Sequence, residues 1–250
     1  MVIQTGEQAT AKQDLLQALT EYKGNTKHQV VIKAIEKLSA LNSITDPTRH
    51  DTLLDGEWLL ISAPNFPGGE LTDEGKYSYT LGRLAFNMFQ PAQLKLVIDR
   101  VCQPVFPVNN GQQKSHDIIV EFTTIDDNFP QLKGIVHNFG ICEPSSDRTL
   151  QVKFTGSVLK PQESENLESW KPVFKQQKSL KKTWKERLTS VMGKIMFGLV
   201  PPEEMNPQTG EVSFTMNRSP KGSLDIIYLD EELRITKGEK GTVLVCQRCA

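Results

Sequence analysis

Alternation of apolar and polar residues dominates the chain after residue 54. The clearest case runs from Leu150 to Val158, where apolar residues or glycine at every even position are separated by polar residues at the odd positions. Successive side chains of a β-strand point to opposite faces, so this pattern predicts a strand with all its apolar side chains on one buried face.

The same period recurs in several other segments. The inward positions predicted from it are Ile118, Val120 and Phe122, then Leu94, Leu96 and Ile98, and finally Ile135, Phe139 and Ile141 opposite His137. Short apolar runs at 58–61, 224–229 and 242–247 add further strands. Many short strands with Gly, Pro and Asn turns between them, and almost no helical crossovers, favour an antiparallel sandwich or closed barrel over a parallel sheet.

Helical spacing replaces this alternation in two regions. Apolar stripes at 15–22 and 30–41 predict a helical hairpin within the first fifty residues, packed on the rest of the protein. A third stripe, from Leu180 to Leu199, predicts a helix that ends before Pro201. We therefore divide the chain into a helical region at 1–50 and a barrel domain at 51–250, with a helical insertion at about 175–200.

Charge is distributed unevenly along the chain. The formal net charge is only -1, which gives no general attraction to nucleic acid. Residues 171–200 nevertheless contain eight Lys or Arg and one Glu, so the third predicted helix is basic and the remainder of the chain is acidic.

No catalytic constellation is visible in the sequence. Nucleophile-elbow, phosphate-loop, dinucleotide-binding and zinc-protease motifs are absent, and the four histidines are dispersed. We therefore expect no enzyme, no catalytic residue and no metal site, and we interpret the acidic run at 230–232 as a solvated turn. The four cysteines are too scattered for a disulfide framework. The first thirty residues lack the basic and apolar pattern of a targeting segment, so we expect no export or organelle signal in them.

Two segments carry a more specific signal. Residues 54–60 read Leu-Asp-Gly-Glu-Trp-Leu-Leu, and residues 228–245 open with Tyr-Leu-Asp-Glu-Glu-Leu-Arg-Ile and contain two glycines in a predicted hairpin. Together they resemble the plastid lipid-associated protein (PAP)/fibrillin family. Lys237, Glu239 and the run 243–245 depart from the family pattern, in a way that fits a divergent subgroup.

The resemblance implies a fold, a function and a location. The fold would be mainly β, an antiparallel lipocalin-like barrel with an N-terminal helical hairpin and one basic amphipathic helix inserted before the last strands. The function would be non-enzymatic binding of a lipid, carotenoid, quinone or other isoprenoid at photosynthetic membranes. The location would be the cytoplasmic face of a cyanobacterial thylakoid, or the plastid stroma or plastoglobule. A barrel of about eight strands has room for one small ligand, so the strand count agrees with this implication.

Two sets of candidate site residues follow. The barrel interior would be lined by Trp58, Leu96, Ile98, Val120, Phe122, Val152, Phe154 and Tyr228. An anionic membrane surface would be contacted by Lys178, Lys181, Lys182, Trp184, Lys185, Arg187, Ile195, Met196 and Phe197. We also expect Arg234, which lies between strand apolars, to have a structural partner, the alternative being an exposed residue on the strand face.

Alternatives remain open at this point. The basic helix could cover the barrel with its lysines solvated, instead of docking on a membrane. The protein could be an adaptor that scaffolds photosynthetic or isoprenoid-synthesis proteins, or it could resemble the bilin lyases that share the lipocalin-like barrel.

Overall fold

A computed structural model describes residues 6–163, 166–175, 200, 204–218 and 221–249. Five α-helices lie in these ranges: α1 (Gly6–Glu21), α2 (Gln29–Ala40), α3 (Asp51–Leu54), α4 (Leu81–Leu84) and α5 (Leu167–Phe174). Short 3-10 helices occupy Pro47–Arg49 and Asn109–Gly111. No helix within these ranges has the length and apolar character needed to cross a bilayer.

The strands of the described ranges follow in chain order. They are β1 (Trp58–Leu60), β2 (Glu70–Leu71), β3 (Tyr77–Thr80), β4 (Lys95–Cys102), β5 (Pro107–Val108), β6 (Gln113–Ser115), β7 (Ile118–Thr124), β8 (Lys133–Pro144), β9 (Thr149–Pro161), β10 (Val212–Thr215), β11 (Lys221–Leu229), β12 (Leu233–Gly238) and β13 (Val243–Arg248).

Eight of these described strands close into an antiparallel barrel. Around the ring, β9 pairs with β11, then come β12, β13, β1, β4, β7 and β8, and β8 returns to β9. The remaining strands extend the two ends: β10 pairs with the second half of β9, and β6 pairs with the end of β8. The predicted mainly β fold with an antiparallel barrel is confirmed.

The two N-terminal helices pack on the outside of this barrel. Their apolar stripes, which include Leu15 and Ile35, contact the outward-facing Leu233, Ile235 and Val245 of β12 and β13. The sequence predicted both helices and their packing, although α1 starts earlier than its stripe, at Gly6. The helical hairpin therefore covers the strands formed by residues 224–248.

The inner face of β8 differs from the prediction. Its buried positions are Gly134, Val136, Asn138, Gly140 and Cys142. Ile135, Phe139 and Ile141 instead face outward with His137, and the Phe139 ring packs on His137 with 4.3 Å between centroids. The hydrophobic pattern indicated the wrong face because the inward residues of β8 are small or polar.

The alternation along β9 also breaks once. Leu150, Val152 and Gly156 are buried as predicted, but beyond Gly156 the buried residues are Ser157 and Leu159, and Val158 is only half-buried. The register of β8 and β9 shifts between Phe139 and Gly140, which marks a bulge near this point.

Candidate functional site

The middle of the barrel holds an apolar cluster built from facing strand positions. Ile98 of β4 lies opposite Phe122 of β7, and Val120 of β7 lies opposite Val136 of β8. Leu159 of β9 continues that row, because cross-strand partners share one face of a sheet. The predicted interior residues Leu96, Ile98, Val120 and Phe122 are all buried in this cluster, and the half-buried Phe154 packs against it.

Helix α5 closes the end of the barrel near Gly134. Its Trp170 ring lies 6.5 Å from the Phe122 ring and 3.9 Å from the Phe174 ring, between centroids. The Trp170 indole N–H donates to the carbonyl of Gly210 at 2.9 Å. A Cβ at Gly134 would lie 2.5 Å from the Phe122 ring and 2.6 Å from the Trp170 ring, so this glycine makes room for both aromatic side chains. We call Trp170 and Phe174 the α5 plug.

The segment from α4 to β4 adds a second cover. Leu84 and Phe89 are buried in the apolar cluster, and the Phe89 and Phe214 rings meet edge to face at 5.3 Å. From the inner face of β8, the Asn138 amide N–H donates to the carbonyl of Leu84 at 3.1 Å. This hydrogen bond fixes the segment against the barrel interior.

The opposite end of the barrel, which we call the floor, is built around Trp58. Trp58 is fully buried, and its indole N–H donates to the carbonyl of Leu54 in α3 at 3.0 Å. Val152, also predicted to face the interior, lies in this floor cluster with Leu150 and Cys142. The structure thus places Trp58 and Val152 at one end and the other predicted interior residues of β4 and β7 nearer the α5 plug.

Two arginines stack on Trp58. The guanidinium carbons of Arg234 and Arg248 lie 4.9 and 4.3 Å from the centre of its ring. Arg248 donates to the backbone carbonyls of Leu53, Asp55 and Glu231, so it ties α3 to the barrel end. A cation over an indole face is attracted by the ring quadrupole, which stabilises this arrangement.

Arg234 is buried inside the floor. It pairs with Cys246 of β13 and is 1% exposed, and one of its Nη groups donates to the Gln103 side-chain oxygen at 2.8 Å. The expectation that Arg234 has a structural partner is confirmed. Desolvation by burial lowers the pKa of its guanidinium below the usual value.

His116 lies on the same inner surface. Its backbone N–H donates to the carbonyl of Gly140, an inward position of β8. Burial, and secondly the charge of Arg234, lowers the pKa of the imidazole to about 3, so the ring is neutral near pH 7. Sequence reasoning missed His116 and Gln103 as interior residues because neither lies in a run of alternating apolar positions.

Tyr228 does not lie in the interior, which corrects the prediction. The register of β11 shifts between Ile226 and Tyr228, so Ile226 faces the floor cluster while Tyr228 faces out beneath α1. There its hydroxyl donates to Asp230 at 2.6 Å and accepts from the Gln8 amide at 2.8 Å. An inserted residue at a bulge reverses the face of every later position in a strand.

The turn at 230–232 is not simply solvated. Asp230 is 2% exposed and pairs with Lys12 of α1 at 2.6 Å. Burial alone would raise the pKa of Asp230, but hydrogen bonds from Lys12, Tyr228 and two backbone amides outweigh it and lower that pKa. We call Gln8, Lys12, Tyr228 and Asp230 the helix anchor, since together they fasten α1 to the barrel.

The predicted membrane-contact residues lie outside the described residues. They are Lys178, Lys181, Lys182, Trp184, Lys185, Arg187, Ile195, Met196 and Phe197. The predicted helical insertion at about 175–200 also lies outside the described residues, apart from its two end positions. Of the basic residues in 171–200, Lys171 belongs to α5 and Lys175 follows it directly. In the described ranges no cluster of His, Cys, Asp and Glu has the arrangement of a metal site.

Two open clefts adjoin the segment that follows β1. They have volumes of about 400 and 360 Å³, and both are lined by Ala63, Pro64 and Tyr77 after β1. None of the predicted interior residues except Ile98 lines either cleft. Ile98 also belongs to the apolar row, so the second cleft reaches the edge of the buried surface between the floor and the α5 plug.

Comparison with known proteins gives one result. Neither a curated protein nor a solved structure matches the chain. The family model PAP_fibrillin, in contrast, matches residues 9–247. This range includes the helical hairpin except the first three residues of α1, all the barrel strands except the last residue of β13, and α5. A match of this extent shows that the chain belongs to the PAP/fibrillin family of plastid lipid-associated proteins.

Proposed function

We propose that the protein is a non-enzymatic carrier that holds the apolar chain of a lipid or isoprenoid inside its barrel, at the surface of a photosynthetic membrane. The observation that carries this proposal is the row of apolar side chains on the inner faces of β4, β7, β8 and β9, within a closed ring of strands. Small-molecule sites are typically concave and mostly apolar, with a few polar groups. Membership of a lipid-associated family supports the same conclusion.

The α5 plug is the part of the structure that a ligand would displace. Trp170 and Phe174 contact Phe122 directly, so they fill the space next to the apolar row. An apolar chain in their place would replace their apolar contacts and release the hydrogen bond from Trp170 to Gly210, while the hydrogen bonds of the strands stay intact. Exchange of the plug for a ligand therefore does not require the barrel to open.

Charge supports the membrane part of the proposal. Residues 171–200 carry eight basic residues and one acidic residue in an otherwise acidic chain. Each Lys or Arg close to an anionic lipid surface contributes about 1 kcal/mol of attraction. The protein would bind peripherally through this segment, next in sequence to the α5 plug.

Extraction of the natively purified protein with organic solvent, followed by mass spectrometry, tests the carrier function. We expect a stoichiometric lipid or isoprenoid in the extract. Recovery of a stable protein complex without such a molecule would instead favour the adaptor function, and turnover of a bound pigment would favour an enzyme.

A matched pair of variants locates the ligand. Val136 is fully buried in the apolar row, whereas its neighbour Ile135 faces outward on the same strand. Val136→Trp should fill the interior and remove binding of a fluorescent polyene lipid, and Ile135→Trp should leave binding unchanged. Equal binding by both folded variants would show that the lipid lies elsewhere, for example in the clefts near Tyr77.

A further inference from the structure

Polar atoms without partners are concentrated in the barrel interior. Among the described residues, the buried side-chain atoms that lack a hydrogen-bond partner are Asn138 Oδ1, Ser157 Oγ, His116 Nδ1, Arg234 Nε and, in α2, Ser39 Oγ. The first four face the inside of the barrel. Buried polar groups are hydrogen-bonded in the great majority of structures, so four orphaned atoms on one inner surface point to a partner outside the chain.

The inward positions of β8 give the order of these residues from the floor towards the α5 plug, although only Asn138 belongs to β8 itself. Cys142 belongs to the floor cluster, His116 faces Gly140, and Asn138 lies opposite Ser157 of β9. Two residues along a strand span about 7 Å. The pair of Asn138 and Ser157 is therefore displaced by this distance from the level of His116, towards the α5 plug. The next inward positions, Val136 and Gly134, belong to the apolar row and the α5 plug.

The inner surface of the barrel therefore changes from polar to apolar between the floor and the α5 plug. Arg234 and His116 make the floor polar, Asn138 and Ser157 form a second polar step, and apolar side chains continue to the plug. An amphiphilic molecule has the same order of groups, from its polar head to its apolar chain.

Charge at the floor indicates the kind of head group. Arg234 is buried, and it takes part in none of the ion pairs found between described residues. Its hydrogen-bond partner Gln103 and its ring partner Trp58 are neutral. A buried guanidinium without a carboxylate favours a negatively charged oxygen acceptor, and its planar donors suit carboxylate and phosphate.

We propose that the barrel binds an amphiphile with an anionic oxyacid head, a carboxylate or a phosphate, with the head directed to Arg234 and His116. Asn138 and Ser157 hydrogen-bond the next polar group of the ligand, and the chain runs along Val136, Val120 and Phe122. This inference rests on the proposed function and adds to it the ligand class and its orientation.

Competition between matched ligands tests the proposal on the full, delipidated protein. The ligands are dodecanoic acid, dodecyl phosphate and methyl dodecanoate, each displacing a fluorescent polyene lipid at pH 8. Hydrogen bonds to a charged group should make the acid or the phosphate bind about tenfold tighter than the neutral ester. The order of acid and phosphate identifies which of the two head groups the floor prefers.

Two arginines on the same tryptophan supply the variant and its control. Arg234→Met should bring the ratio of ester to acid dissociation constants close to one while leaving the ester affinity unchanged. Arg248→Met should retain the ratio, since Arg248 donates to backbone carbonyls at the end of the barrel. If Arg234→Met does not fold, Arg234→Lys serves as the second variant, since it keeps the charge but loses the planar guanidinium donors. It should lower the ratio of ester to acid dissociation constants but keep it above one.

The outcomes separate this proposal from the proposed function. Equal binding of acid and ester by the wild-type protein would overturn the head-group site and leave the lipid carrier intact. An unchanged ratio in Arg234→Met would also overturn it. Failure of all three ligands and of the polyene lipid to bind would overturn both proposals.

Discussion

At the scale of single residues, the helix anchor contains a buried ion pair between the helical hairpin and the barrel. Lys12 and Asp230 are nearly fully buried and 2.6 Å apart. Burial alone would lower the pKa of Lys12, but the hydrogen bonds and charges of Asp230 and Glu232 raise it. Removing Asp230 would leave the buried Lys12 with the largely exposed Glu232 as its remaining ion-pair partner among the described residues, so this pair is more sensitive to substitution than an exposed pair.

Asp230→Asn should lower the free energy of unfolding by about 3 kcal/mol at pH 7. Because the pKa of Asp230 is lower in the folded protein than its ordinary 3.8, its contribution is complete above about pH 4 and is lost as the pH falls through the folded value. Urea unfolding at several pH values should show the variant and the wild type converging in acid. The pair Asp14–Lys37 serves as a control, since its side chains are 49% and 50% exposed, and Asp14→Asn should cost less than about 1 kcal/mol at every pH.

Gly140 provides a second test at this scale. A Cβ there would lie 2.2 Å from the carbonyl oxygen of His116, a backbone atom that cannot move away without disturbing the β6 to β8 contact. Gly140→Ala should therefore lower the free energy of unfolding by about 2 kcal/mol or more. Gly222→Ala, in a strand position where nothing lies within 4 Å of the new Cβ, should change it by less than about 1 kcal/mol in thermal or urea unfolding. Similar losses in both variants would show that strand glycine itself, and not crowding at His116, decides the stability.

At the scale of elements, the strands show what alternation in the sequence can and cannot predict. The inward residues of β4 and β7, Leu96, Ile98, Val120 and Phe122, were predicted correctly because these positions are large and apolar. Two features explain why the inward residues of β8, β9 and β11 were not all predicted. Bulges in β9 and β11 reverse the inward face without any marker in the residue types. On β8, the inward Gly134 gives space to Trp170, which is distant in sequence.

The polar part of the site was harder to predict for a related reason. Apolar strand residues flank Arg234, which led to the prediction of a structural partner, and its burial agrees with that prediction. His116 lies between β6 and β7, and Gln103 directly follows β4, so both lie just outside the alternating runs. Their roles depend on closure of the barrel, which brings β12, β7 and β8 around one space.

The α5 plug gives a prediction for a whole element. Trp170→Ala should lower the free energy of unfolding by about 3 to 5 kcal/mol, since it removes a fully buried ring and its contacts with Phe122 and Phe174. The same variant should bind a long apolar chain more tightly than the wild type, because the ligand no longer competes with the indole ring. Thermal unfolding and lipid titration measure the two effects.

Lys171→Ala on the same helix is the control. Its side chain is partly exposed and pairs with the exposed Glu168, so it should alter stability by less than about 0.5 kcal/mol and leave lipid affinity unchanged. Weaker lipid binding by Trp170→Ala would mean that the indole forms part of the ligand site and is not displaced from it.

At the scale of the whole molecule, the separation of charge predicts salt-dependent membrane binding. Wild-type protein should float with anionic liposomes at low ionic strength and release them as salt screens the basic segment, the Debye length falling from about 10 Å at 0.1 M to about 3 Å at 1 M. The triple variant Lys181→Glu, Lys182→Glu and Lys185→Glu should fail to float even at low salt. A triple variant Lys33→Glu, Lys37→Glu and Lys133→Glu changes the net charge equally outside residues 171–200 and should float normally. Equal flotation of all three proteins at every salt concentration would contradict electrostatic docking.

The pairing of β1 with β13 also determines when the molecule can finish folding during its synthesis. Residues 6–60 leave the ribosome first, but the strands covered by α1 and α2, and one of the two partners of β1, lie at 224–248. Until those residues emerge, the apolar stripes of both helices lack the barrel strands that they cover. Closure must wait for contacts of very long sequence separation, which slow folding. A ribosome-bound chain that stops before residue 221 should therefore be cleaved by protease within α1 and α2, and the same bonds should become protected once β11, β12 and β13 are complete.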